Sequence, residues 1–126
     1  MPNSNKRKGT RWESAVRDYL NSSGQAAHRI AQAGDDVSDV HLNGSWALQC
    51  KDVAQQRYTA WVPAAERQAD AAGLKYSAVV HKRRNLSVGE ALVVMTLDQF
   101  ADITNELRVA GMLAREVHSG NKFTTG

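Results

Sequence analysis

Glu13, Asp39, Gln49 and Lys51 have the types and spacing of a metal-dependent phosphodiester-cleaving site. Asp39 lies in the run Ser38-Asp39-Val40-His41-Leu42, and Gln49-Cys50-Lys51 follows after a short turn. Magnesium takes oxygen ligands in an octahedral array, commonly one or two carboxylates, with phosphate and water completing the shell. Asp39 and Glu13 offer carboxylates, and Gln49 offers a neutral amide oxygen. An ion held there would lower the pKa of a bound water, polarise a phosphoryl oxygen and orient the phosphate for in-line attack. Lys51 would position the attacking water or offset charge growing on the phosphorane-like oxygens. The same spacing also arises by chance, and an exposed helical glutamate is the plain alternative for Glu13.

The elements that position these residues follow from periodicity. Trp12, Val16, Tyr19 and Leu20 recur at helical spacing, so a first helix is expected from about Thr10 to Ser22, ended by Gly24. At about 100° per residue Glu13 falls at the edge of that apolar stripe, within reach of the rim of whatever the helix covers. Residues 26–31 form an expected strand, followed by a loop through Gly34 and a short strand over 38–42. Asn43-Gly44 is a two-residue hairpin signal, which makes the strands on either side antiparallel neighbours. The strand after it alternates: Trp46, Leu48 and Cys50 share one face, Ala47, Gln49 and Lys51 the other. Pro63 suits the first turn of an alanine-rich helix ended by Gly73. Runs 76–81 and 91–95 read as strands covered on both faces. A last helix starts at Thr96, where Gln99 completes a capping box, and carries Phe100, Ile103 and Leu107. Beyond Gly111 the pattern weakens, and residues 119–126 are expected to be disordered. The order of elements predicts a mixed α/β fold, a central sheet flanked by helices, as a single domain over 10–118 behind a basic arm at 1–9.

Composition bounds the function classes. A chain of 126 residues with 42% hydrophobic content can bury one core. No apolar run approaches the roughly 18 residues of a membrane span, and the start lacks the apolar core of a signal peptide, so a cytoplasmic protein is expected. The lone Cys50 leaves no internal disulfide and no thiolate zinc site. The formal charge is only +3, but it is unevenly spread: Lys6, Arg7, Lys8 and Arg11 stand in the arm, and Lys82, Arg83 and Arg84 form one run. Either cluster alone reads equally well as a solvated tail or loop. Two of them flanking a candidate phosphate-cleaving centre point to nucleic acid.

The opening Lys8-Gly9-Thr10-Arg11-Trp12-Glu13 with Tyr19-Leu20, then His28-Arg29, Ser38-Asp39-Val40 and Leu48-Gln49-Cys50-Lys51, resembles the archaeal and phage Holliday junction resolvases of the PD-(D/E)XK nuclease superfamily. The likeness continues through Trp61-Val62, Glu66-Arg67 and Val80-His81-Lys82-Arg83-Arg84, covering about residues 8 to 97. It matches the family pattern at Glu13, Asp39 and Lys51 and departs at Gln49, where glutamate is expected. The resemblance implies a restriction-endonuclease-like fold and a homodimer that resolves four-way DNA junctions with Mg2+ or Mn2+. It also implies DNA contacts from Lys6, Arg7, Lys8, Arg11, Lys82, Arg83 and Arg84, while Arg29 reads as a DNA contact or an ordinary surface arginine. A two-fold protein is the simplest means of making symmetric cuts on a two-fold junction.

Several residues keep open alternatives. Asp35 and Asp36 could replace Asp39 as ligands but lie in an expected loop. Asp52 follows Lys51 on the opposite face and reads as structural or surface. His28, His41, His81 and His118 are too dispersed for a zinc site and read as surface or phosphate-contacting. Glu66 and Gln68 are expected on an exposed helix face, and Trp46 and Trp61 in the core or a dimer interface. A restriction-like or repair endonuclease acting on another DNA form, and a junction-binding protein with weakened catalysis, remain the alternative functions.

Overall fold

The computed structural model describes residues 4–30 and 39–125, with side chains over 7–30 and 39–116. Two compact units divide the chain, Met1–Met95 and Thr96–Gly126, where one domain over 10–118 is expected from the sequence.

The first unit is a five-stranded mixed sheet with a helix on each face. Helix α1 (Ser4–Ser22) precedes β1 (Ala27–Arg29), β2 (Val40–Leu42) and β3 (Trp46–Lys51). Helix α2 (Tyr58–Ala72) crosses to β4 (Tyr76–His81), and a 3-10 turn (Val88–Glu90) leads into β5 (Leu92–Val94). Strand order follows chain order; only the β3–β4 pair, joined through α2, is parallel. A parallel pair needs such a crossover, and α2 supplies it.

Alternation along β3 sends the two halves of its side chains to different helices. Leu48 and Cys50 join Ala78 and Val80 of β4 in one cluster with Trp12 and Val16 of α1. Trp12 is 3% exposed, and its Nε1–H donates to the Val80 carbonyl at 3.1 Å, so the helix is fastened as well as packed. Burying an aromatic or aliphatic side chain of this size stabilises by about 1.5–3 kcal/mol. On the other face Ala47, Gln49 and Val79 are buried together with Ala65, Gln68 and Ala69, the small face of α2. The hairpin forms as its sequence predicts: Asn43 and Gly44 both have positive φ, 54° and 69°, and the Ser45 N–H donates to the Leu42 carbonyl.

Three boundaries depart from expectation for tertiary reasons. Helix α1 begins at Ser4 and carries Gly9 inside it, although nothing in the 4–10 pattern is apolar. Lys8 has a partner in Asp52, 3.7 Å away, which ties the extra turn to the end of β3. Helix α2 starts at Tyr58, a full turn before Pro63, because the Tyr58 hydroxyl lies 2.8 Å from His81 Nδ1 and anchors that turn. The strand expected over 91–95 shortens to β5, an edge strand on which Leu92 and Val93 are exposed rather than covered.

The second unit is helix α3 (Leu97–Thr125). Its start is capped as expected, the Gln99 N–H donating to Thr96 Oγ1 at 3.2 Å. Its backbone continues through Gly111 and across most of 119–126, where disorder is expected from sequence. Leu113, Ala114, Arg115 and Glu116 are strong helix formers and outweigh the glycine. Phe100 and Leu107 are exposed.

Candidate active site and the basic pocket beside it

Asp39 stands where β1, β2 and β3 meet. Its carbonyl accepts from the Ile30 N–H and its own N–H donates to the Leu48 carbonyl, so its backbone is locked between neighbouring strands. Its carboxylate turns inward, Oδ2 accepting from the Cys50 N–H at 2.7 Å. Glu13 reaches the same place from α1. Burial is the main cause that pushes Asp39 up to about 7; the Cys50 N–H opposes it, Glu13 adds to it by charge and by hydrogen bonding, and Lys51 opposes it. Two carboxylates within hydrogen-bonding reach in a part-buried place retain one proton near neutrality. The same burial, reinforced by Asp39 and Glu13, holds the Cys50 thiol well above its ordinary range, so it stays a neutral core residue.

Gln49 and Lys51 share one face of β3, as alternation predicts. The Gln49 side chain is buried, and its Oε1 has no hydrogen-bond donor. A buried amide oxygen without a donor costs free energy unless something electropositive meets it. Asp39 and Glu13 together offer two carboxylates, which suits magnesium or manganese and leaves further positions for phosphate and water, while Gln49 belongs to the β3 face that packs on α2. Among the described residues no group of three or more His, Cys, Asp or Glu gathers to hold a metal ion.

Lys51 Nζ lies 5.5 Å from the centroid of the Trp61 ring. Behind Trp61 is His81, at 5.2 Å between centroids, which is buried instead of lying on the surface. The Val53 carbonyl can only accept, so His81 Nε2 carries hydrogen towards it at 2.7 Å while Nδ1 faces Tyr58. Tyr58, Trp61 and His81 thus form a rigid backing for the lysine. His28 and His41 meet edge to face at 5.7 Å across β1 and β2, and burial followed by the His28 charge lowers His41.

The basic residues separate into three environments. Arg29 is not presented outward: its Nε and Nη2 both donate to Glu13 Oε2, at 3.2 and 3.0 Å. Lys8, Lys82 and Arg84 converge on Asp52, at 3.7, 3.7 and 3.3 Å. Arg11 lines the same pocket. Arg83 turns away to Glu90, at 3.9 Å, so the 82–84 run is not one cluster. Arg7 is exposed on α1, while the Lys6 side chain, Asp35, Asp36 and the His118 side chain lie outside the described residues. Glu66 is exposed as expected, whereas Gln68 is buried. Trp46 packs against Tyr76 at the margin of the core.

Sequence reasoning missed the Arg29–Glu13 pair, the Trp61 backing of Lys51 and the gathering role of Asp52. A usable signal exists only for Asp52, where alternation already turns it away from Lys51 towards α1. No helix among the described residues is long and apolar enough to cross a membrane. No protein-family model matches the chain, nor does any curated protein or solved structure.

Proposed function

We propose that the chain is a metal-dependent DNA endonuclease with a restriction-endonuclease-like fold, acting in the cytoplasm as a homodimer on four-way junctions. The observation that carries this reading is the meeting of Glu13 and Asp39, with Lys51 acting electrostatically on Asp39; the buried Gln49 oxygen on the neighbouring strand β3 has no donor. Asp39, Glu13 and Gln49 Oε1 would hold Mg2+ or Mn2+. When bound, the ion would supply an acidified water and Lewis-acid polarisation of the scissile phosphate. To serve as a ligand Asp39 would have to give up its retained proton. Glu13 keeps its charge balanced by Arg29 and lends the second carboxylate. Lys51, held against Trp61, offsets charge developing on the phosphate. The basic side chains around Asp52 hold the DNA backbone, which gives affinity that falls with salt and little base readout.

The test is cleavage of a synthetic four-way junction with and without magnesium by the parent, Asp39→Ala and Lys51→Met. Paired symmetric nicks are expected from the parent in magnesium alone, with both variants binding the junction uncut. Equal cutting by Asp39→Ala, or no cutting by the parent in either metal, would refute the proposal. Junction binding without cutting would favour the second reading, a non-hydrolytic junction binder, which Gln49 in place of glutamate motivates.

A further inference from the structure

The pocket around Asp52 has a property that a simple count of charges reverses. Four cationic side chains, Lys8, Arg11, Lys82 and Arg84, line it together with Ser87 and the buried Asp52, enclosing about 560 Å3, room for a phosphate group and several waters. Asp52 is 4% exposed at its side chain and touches three of the four cations. They come from distant parts of the chain, the first turns of α1 and the loop after β4. Left alone, they would repel one another and disperse into solvent. Lys82 Nζ also lies 5.6 Å from the Trp12 ring centroid, which narrows its freedom further.

We infer that Asp52 is a positioning residue that preassembles Lys8, Lys82 and Arg84 into a clamp for one phosphate of a nucleic-acid strand. One carboxylate cannot neutralise three cations, so the cluster keeps a net positive charge directed at the pocket. Lys51 and Asp52 are consecutive and alternate in direction, which puts the pocket on the α1 side of β3, apart from Lys51. This inference rests on the DNA reading above but not on catalysis, since the pocket binds by charge and arrangement alone.

The experiment is binding of a fluorescent duplex and a four-way junction, in EDTA, across a salt series. Asp52→Asn makes the protein more positive by one, so a charge count predicts tighter binding. The clamp predicts binding at least fivefold weaker, and a plot of log affinity against log salt shallower by about 0.9, one phosphate contact. Asp70→Asn, the same charge change at an exposed position on α2, is expected to bind as tightly as the parent or slightly more so. Should Asp52→Asn fail to fold by circular dichroism, Arg84→Ala against Arg83→Ala decides. These neighbours carry equal charge, and only Arg84→Ala should weaken binding and flatten the salt slope. Undiminished or tighter binding by Asp52→Asn, equal losses for the two arginine variants, or no DNA binding by the parent at low salt would overturn the clamp. Loss of cleavage with binding intact would instead refute only the nuclease reading.

Discussion

Replacing Asp39 by asparagine removes a charge that the fold holds at an energetic disadvantage. The carboxyl rises from 3.8 to about 7 on folding, chiefly through burial. Below about pH 4 it is protonated in both the folded and unfolded chain and carries no penalty. Between about pH 4 and 7 the folded state binds more proton than the unfolded state, so stability falls as pH rises through that window. At about 1.4 kcal/mol per pKa unit the penalty levels off above pH 7 on the order of 4 kcal/mol. Water at the part-exposed edge screens some of this. The substituted amide can still accept the Cys50 N–H through its oxygen and can donate to Glu13 through its nitrogen, so the geometry survives the change. Asp39→Asn should therefore be more stable than the parent by about 2–4 kcal/mol at pH 8, narrowing to roughly 1.5 kcal/mol at pH 5. Urea unfolding in EDTA at half-unit pH steps measures it directly. Manganese should then raise the parent's stability at pH 8, by about 2.7 kcal/mol at a hundredfold excess over its dissociation constant, and leave the variant unmoved. Parallel pH profiles, or a variant less stable than the parent at pH 8, would show that Asp39 and Glu13 do not share a desolvated site.

Gln49→Glu should bind manganese about tenfold more tightly by titration calorimetry while destabilising the metal-free protein at pH 8, because it puts a carboxylate at a buried position; weaker metal binding would remove Gln49 from the ligand set. Trp12→Phe keeps the ring but leaves the Val80 carbonyl buried without its donor, a loss of about 1–3 kcal/mol in urea unfolding; an unchanged midpoint would mean that water reaches the carbonyl.

The local half of this protein is written in its periodicities. Asn43-Gly44 dictates the hairpin because both positions need positive φ, and the alternation of β3 separates Leu48 and Cys50 from Gln49 and Lys51 without help from distant residues. Glu13 at the edge of the α1 stripe is likewise a consequence of helical pitch. What tertiary structure alone decided is which charges meet. Arg29 closes on Glu13 because β1 runs beside α1; Arg83 and Arg84, adjacent in sequence, part to Glu90 and Asp52 because the chain turns between them. The early start of α2 depends on His81, and His81 stands beside Lys51 only through the parallel register that the α2 crossover imposes. Periodicity determines which face a side chain occupies, whereas an ion pair forms between residues tens of positions apart only after the sheet order has brought their faces together.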